Sequence, residues 1–421
     1  MVLDAPVVSG YAIAVAIVRP FSAYRPPQAL ASDVASPPYD VINTAEARAL
    51  AEGNPHSFLH VTRPEIDLPE GIDEHADEVY ARGADNLTQL IAHGSLTQDP
   101  EPHLYLYAQK MGNHRQIGVV GCASVDEYER EIIKKHEKTR PDKEDDRTRH
   151  IDELSAHDEP VFLTYRADEG IDRLVAEAVA GMPIYDFTTP DGVEHRLWVL
   201  GRELSAALEA RFLEIPTLYV ADGHHRSAAA ARVHRKLRGD GREHDVFLAV
   251  VFPHDQMQIL PYNRVVRDRE GRGPEALLAA LQERLDVTPA DSGEAAAPTG
   301  PKSFGIYLGG RWYAAKVRAG SYDAADPVAS LDCSICQDQI LGPVFGVEDP
   351  RRDKHVDFVG GIRGIKELQR RVDSGEMSLA VHLYPTQIEE LFAVSDASLL
   401  MPPKSTWFEP KLRSGLFVHA F

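Results

Sequence analysis

Two histidines and an arginine follow a glycine in Asp222-Gly223-His224-His225-Arg226. The run 215–221 ahead of them is apolar, with its proline near the start, and an Ala-rich helix is expected from about Ser227. A very short glycine turn therefore joins a buried strand to a helix. Such a turn gathers backbone N–H groups and the positive end of the helix dipole at one point, which attracts anions. His224 and His225 add ring donors, and Arg226 offers a fork that matches two phosphate oxygens. Asp222 has a structural reading, capping the helix, and functional ones: orienting a histidine, or holding a metal or a substrate hydroxyl. Apolar packing does not call for these residue types at a turn, so the group points to phosphate chemistry, with Asp222 and His225 as candidate catalytic residues and Gly223, His224 and Arg226 as candidate phosphate contacts.

A second cluster lies in the most charged stretch, 126–157, at Lys134-Lys135-His136-Glu137-Lys138-Thr139-Arg140. A solvated charged face explains its composition equally well. Its sharper reading makes Glu137, placed where the β-like run Glu131-Ile132-Ile133 gives way to polar residues, a general base aimed at a hydroxyl. Asp145 and Asp146 are candidate oxygen ligands for Mg²⁺, which phosphoryl transfer commonly uses, although an acidic pair on a surface turn is the commoner arrangement. Near the C-terminus, Lys404-Ser405-Thr406 has the composition of a phosphate-contacting triplet, and Lys404 and Ser405 are candidate contacts. It lacks the Gly-rich loop of a Walker motif. Cys333-Ser334-Ile335-Cys336 has the spacing of half a zinc site, yet no second pair completes it, and the apolar continuation favours a packed helix.

The elements that must position these residues mix strand and helix. Strands are expected at 12–18, 161–165 and 246–252, a helix at 45–52 capped by Asn43 or Thr44, and another over 73–92. Hairpins are expected for 104–107 with 117–123 across Gly112-Asn113, and for 303–308 with 312–317 across Gly309-Gly310. A strand at 379–383 leads into a helix at 386–392. The Ala, Gly, Ser and Pro stretch 288–301 reads as an exposed loop at a subdomain boundary. The expected organisation is a region 1–286 carrying the site, a loop 287–301 and a C-terminal α/β subdomain 302–421. The fold class is α/β in the mixed α+β sense.

At 421 residues the chain exceeds one ordinary core, and 43% hydrophobic with 26% charged residues is a globular balance. A formal charge of −20 argues against broad contact with nucleic acid or anionic lipid, so an anionic ligand needs a local basic pocket. Neither a membrane span nor a secretory leader is read, and three cysteines fit a reducing compartment, so the expected location is cytoplasmic. A Gly-rich dinucleotide fingerprint and a G-x-S-x-G elbow are both missing, which leaves nicotinamide and serine-hydrolase chemistry without support.

Five sequence blocks together resemble the domain-of-unknown-function family one-zero-one-five over nearly the whole chain. They are Pro38-Tyr39-Asp40-Val41-Ile42; Asn54-Pro55 with Phe58-Leu59-His60-Val61; His136-Glu137-Lys138-Thr139; Ala221 to Arg226; and Pro403-Lys404-Ser405-Thr406 with Phe408, Pro410, Lys411 and Gly415. The Asp-Gly-His-His-Arg element is similar to the phosphate-binding turn of the ParB and sulfiredoxin-like superfamily, which includes free-serine kinases. That resemblance implies a ParB/sulfiredoxin-like catalytic core with additional α/β subdomains, and a serine kinase-like phosphotransferase. It further implies a Glu following a His, here His136 and Glu137, acting on the serine hydroxyl, with ADP, ATP or pyrophosphate as donor and free L-serine as acceptor. Two rivals are carried forward. One is a phosphatase or nucleotide hydrolase using the same cradle; the other is a ParB-like nucleotide-binding regulator, opposed by the charge and by the lack of a basic helix-turn-helix. The expected partners are small molecules, with a homo-oligomer left open.

Overall fold

Val161–Tyr165 and Val246–Pro253 are buried along their whole length, as only strands in the middle of a sheet covered on both faces can be. They pair in parallel with each other in a computed structural model that describes residues 16–237 and 243–421. The chain forms two units: one from the described parts of Met1–Lys134 and Thr139–Gln256 with Leu412–Phe421, the other from Lys135–Lys138 with Met257–Lys411.

In the first unit the described residues form a nine-stranded mixed sheet. Its order is Ile133–Lys134, Leu218–Asp222, Val161–Tyr165, Val246–Pro253, His114–Ser124, Tyr105–Met111, Glu194–Val199 and Tyr185–Thr188, with Val18–Arg19 pairing onto His114–Ser124. The expected strand at 12–18 lies outside the described residues over 12–15. The hairpin across Gly112-Asn113 forms, with Met111 opposite His114. Helices Glu169–Val179 and Arg202–Phe212 pack together and contribute Ile171, Leu208 and Phe212 to one core with Leu163, Val220 and Val251. Burying a side chain such as Phe212 contributes about 2–3 kcal/mol. Helices Pro141–Leu154 and His224–Leu237 pack against each other through Ile151, Ala229 and Val233. Asn43 caps Thr44–Ala51 in a reciprocal box with Glu46.

The second unit holds a six-stranded antiparallel sheet, ordered Leu285–Ala290, Arg311–Val317, Ser303–Leu308, Leu379–Leu383, Tyr262–Val266 and Val356–Gly360. Gly309 and Gly310 turn its hairpin at φ +56° and +77°, a conformation that needs glycine. The stretch 287–301 is not the expected exposed loop. It carries the end of an edge strand, Leu285–Ala290, paired with Arg311–Val317, and a short helix, Gly293–Ala296, capped by Ser292. Pro289 is tolerated there because an edge strand leaves half its N–H groups unpaired. Cys333 and Cys336 are buried thiols in the helix Asp332–Cys336, in keeping with packing. Among the described residues no helix is long and apolar enough to cross a membrane.

Candidate functional site

The first unit builds its candidate site where Leu218–Asp222 ends. The pairing of this strand with Val161–Tyr165 shifts between Val220 and Asp222, and the chain turns at Gly223 with φ +96°, a region closed to most side chains. The Gly223 N–H donates to Asp222 Oδ1 at 2.8 Å, which fixes the carboxylate at the turn. The helix starts at His224, three residues before the expected Ser227, because the single glycine completes the turn. His224, His225 and Arg226 thus form its first turn, at the positive end of the helix dipole.

Arg226 lies in the interior, 7% exposed, and its Nη1 donates to the Pro160 carbonyl. Burial opposes its charge, but Glu159 first, then Asp222, Asp40 and Tyr39, outweigh that cost and hold its pKa above the ordinary arginine value. Glu159 is buried too; its Oε1 accepts the Tyr39 N–H at 3.1 Å and the Ser414 hydroxyl at 2.8 Å. Burial pushes its carboxyl up, with Arg226 the strongest opposing influence. Arg147 stacks over the Tyr39 ring at 4.0 Å and donates to Asp146 at 3.0 Å, while His150 and Asp158 pair at 2.8 Å. A void of about 10 Å³ among Arg147, His157, Glu159 and Arg226 has room for one water. Residue-type reasoning missed Glu159 and Ser414, and Tyr39 and Arg147 had no role attached to them.

His225 Nε2 accepts the Arg140 N–H at 3.2 Å, a geometry that leaves the ring proton on Nδ1. Asp145 and Asp146 sit side by side on the helix Pro141–Leu154 but diverge. Asp145 is exposed and pairs with Arg232 at 2.6 Å; Asp146 is buried and accepts from the Tyr80 hydroxyl at 2.7 Å as well as from Arg147. Burial alone would raise the Asp146 pKa; Arg147 and Tyr80 overrule it and pull it down to about 2. Successive helix positions point about 100° apart, so the two carboxylates do not form the shared Mg²⁺ cage expected of them.

Glu137, Lys404 and Ser405 belong to the second unit. There the His136-Glu137 segment meets the C-terminal triplet: the Met401 N–H donates to the His136 carbonyl at 2.8 Å, and His136 Nε2 lies 3.3 Å from Thr406 Oγ1. Glu137 is half-buried. Lys404 adopts φ +57°, its carbonyl accepting from Arg264 at 3.0 Å. Buried Ser405 donates to the Pro402 carbonyl at 2.6 Å and lies 3.1 Å from Cys333 Sγ. A cavity of about 250 Å³ beside it is lined by Arg264, Cys333, Gln337, Pro402 and Pro403. Another of about 430 Å³, lined by Trp312, Tyr307, Ile365 and Arg311 among others, holds none of the expected site residues.

A family model described as "Protein of unknown function (DUF1015)" matches residues 18–334. No curated protein matches the chain. Among solved structures, a free serine kinase variant in complex with ADP is 12% identical, with 71% of this chain and 92% of that one covered at a TM-score of 0.35. A conserved hypothetical protein from Pyrococcus furiosus is 13% identical, covering 72% and 95%, at 0.35. C-terminally truncated SbnI from Staphylococcus aureus is 13% identical, covering 72% and 87%, at 0.39.

Proposed function

This chain belongs to the family described as Protein of unknown function (DUF1015), and from that premise we propose that it is a phosphotransferase moving a phosphoryl group from ADP, ATP or pyrophosphate to a small hydroxyl acceptor, free L-serine. The observation that carries this reading is the glycine turn at Gly223, which places Asp222, His224 and His225 at the positive end of one helix with the Arg226 charge buried behind them. Phosphoryl transfer asks for this kind of site: its demands are positioning and the neutralisation of charge on the equatorial oxygens.

His224 and His225 would contact those oxygens, and Arg226, set back from the surface, would add its field through the turn. Asp222, oriented by the Gly223 N–H, would hold or deprotonate the acceptor hydroxyl. Glu137 keeps the role expected from its sequence, a base toward the hydroxyl, and Lys404 and Ser405 that of phosphate contacts. Mg²⁺, supplied with the donor, would offset charge on the phosphates.

The test is ³¹P NMR of the protein with Mg²⁺, L-serine and each donor in a separate tube. A phosphoserine resonance is expected, lost in His225→Ala and reduced at least about 100-fold in rate in Asp222→Asn and Glu137→Gln while their melting temperatures hold. Orthophosphate alone would replace this reading with hydrolysis. No consumption of any donor, or wild-type rates in all three variants, would overturn the site.

A further inference from the structure

The Asp222-Gly223 turn is held from behind by Arg226 and by residues that reach no phosphate. A β-carbon built on Gly223 would meet Arg226 Nε at 3.1 Å and Cζ at 3.2 Å, so the guanidinium packs directly beneath the glycine. Its Nη1 donates to the carbonyl of Pro160, the neighbour of Glu159. Glu159 is itself pinned, through one oxygen, by the Tyr39 N–H at 3.1 Å and the Ser414 hydroxyl at 2.8 Å. The two donors favour its charged form and so work against the burial that raises its carboxyl. Asp146 pairs with Arg147, and Asp158 with His150. Pinned in this way, Glu159 fixes the Glu159-Pro160 segment whose carbonyl receives Arg226, and among the carboxylates that act on Arg226, Asp222 and Asp40 included, it does most to offset the burial of that charge.

We infer that Glu159 is a positioning residue, which holds the Arg226 guanidinium under Gly223 and thereby sets the turn that presents Asp222, His224 and His225. Tyr39 and Ser414, far apart in sequence, are the struts that hold Glu159. Glu159 touches no substrate; it acts through Arg226. The inference deepens the phosphotransferase reading and rests on it for its effect on donor affinity, but its structural core is independent of that reading.

The experiment compares wild-type and Glu159→Gln full-length protein by hydrogen exchange with mass spectrometry over peptides spanning 218–230, and by steady-state kinetics with the donor. Gln keeps the size and acceptor of Glu and removes only the charge. Exchange at the turn is expected to speed up about tenfold, on the order of the loss of one buried charge interaction, with peptides over 303–317 unchanged. The donor KM is expected to rise by about tenfold with kcat moved much less, the signature of lost uniform binding. If Glu159→Gln does not fold, Glu159→Asp, which keeps the charge and shortens its reach, is read in the same way. Unchanged exchange at 218–230 in a folded variant overturns the inference. A wild-type protein that consumes no donor sinks the phosphotransferase reading instead, and the exchange data still decide the role of Glu159.

Discussion

Gly223 carries two constraints at once: its φ of +96° suits few side chains, and a β-carbon there would press on Arg226 at 3.1–3.4 Å. Gly223→Ala is expected to cost about 1–3 kcal/mol of stability and to weaken donor binding, measured by thermal denaturation and donor titration. Residue types alone located this turn, because a glycine followed by two histidines and an arginine is hard to explain by packing. They did not reveal that Arg226 faces inward. The helix His224–Leu237 buries Ala228, Ala229, Ala230 and Ala231 in succession, and a run of small residues shows no stripe from which to read its buried side. Glu159 was equally hidden. Its one signal was a carboxylate and a proline set directly before 161–165, a run that must be buried; its partners Tyr39 and Ser414 come from opposite ends of the chain, and no local pattern connects them.

Elements with a strong local signal formed where expected. Asn43 caps its helix because its short side chain reaches the Glu46 N–H while Glu46 reaches back. Asn43→Ala is expected to cost about 1 kcal/mol, read as a lowered melting temperature with activity retained. The Gly112-Asn113 and Gly309-Gly310 hairpins were legible because two-residue turns of this kind need residues that accept positive φ. The stretch 287–301 was misread for the opposite reason. Its strand is an edge, half exposed and interrupted by Pro289, and it is specified by pairing with Arg311–Val317 more than by its own composition. The divergence of Asp145 and Asp146 is also an element-level fact: neighbouring letters in a helix face different surroundings, one solvent and Arg232, the other a buried tyrosine and arginine.

Across the whole molecule, both units bury histidines in neutral form. Burial lowers the pKa of His157 to about 3, helped by the facing His419; burial and then Arg413 do the same for His195, also to about 3; and burial lowers His382 in the second unit. A histidine whose folded pKa lies below its unfolded value of about 6.5 favours the fold above that pH, and the contribution is lost as pH falls toward the folded pKa. The melting temperature is therefore expected to drop steadily below about pH 6.5, with on the order of a few kcal/mol at stake for each of His157 and His195, and His157→Gln should flatten that slope. The same region depends on Leu412–Phe421, which returns to the first unit after the second is complete. There His419 pairs with His157, Val418 exchanges backbone hydrogen bonds with Tyr24, and Leu416, Phe417 and Val418 are buried. Three such side chains are worth about 5–8 kcal/mol, comparable to the whole stability of a domain. Deleting 412–421 is expected to abolish cooperative unfolding of the first unit, checked by circular dichroism and limited proteolysis. The order of synthesis makes this segment matter before the protein is ever folded. Domains usually settle as they leave the ribosome, first-made first, but here the first unit is completed only after the second has been made, once Ser414 reaches Glu159. A break in the chain ahead of Ser414 would leave the Gly223 turn without the Glu159–Ser414 contact behind it.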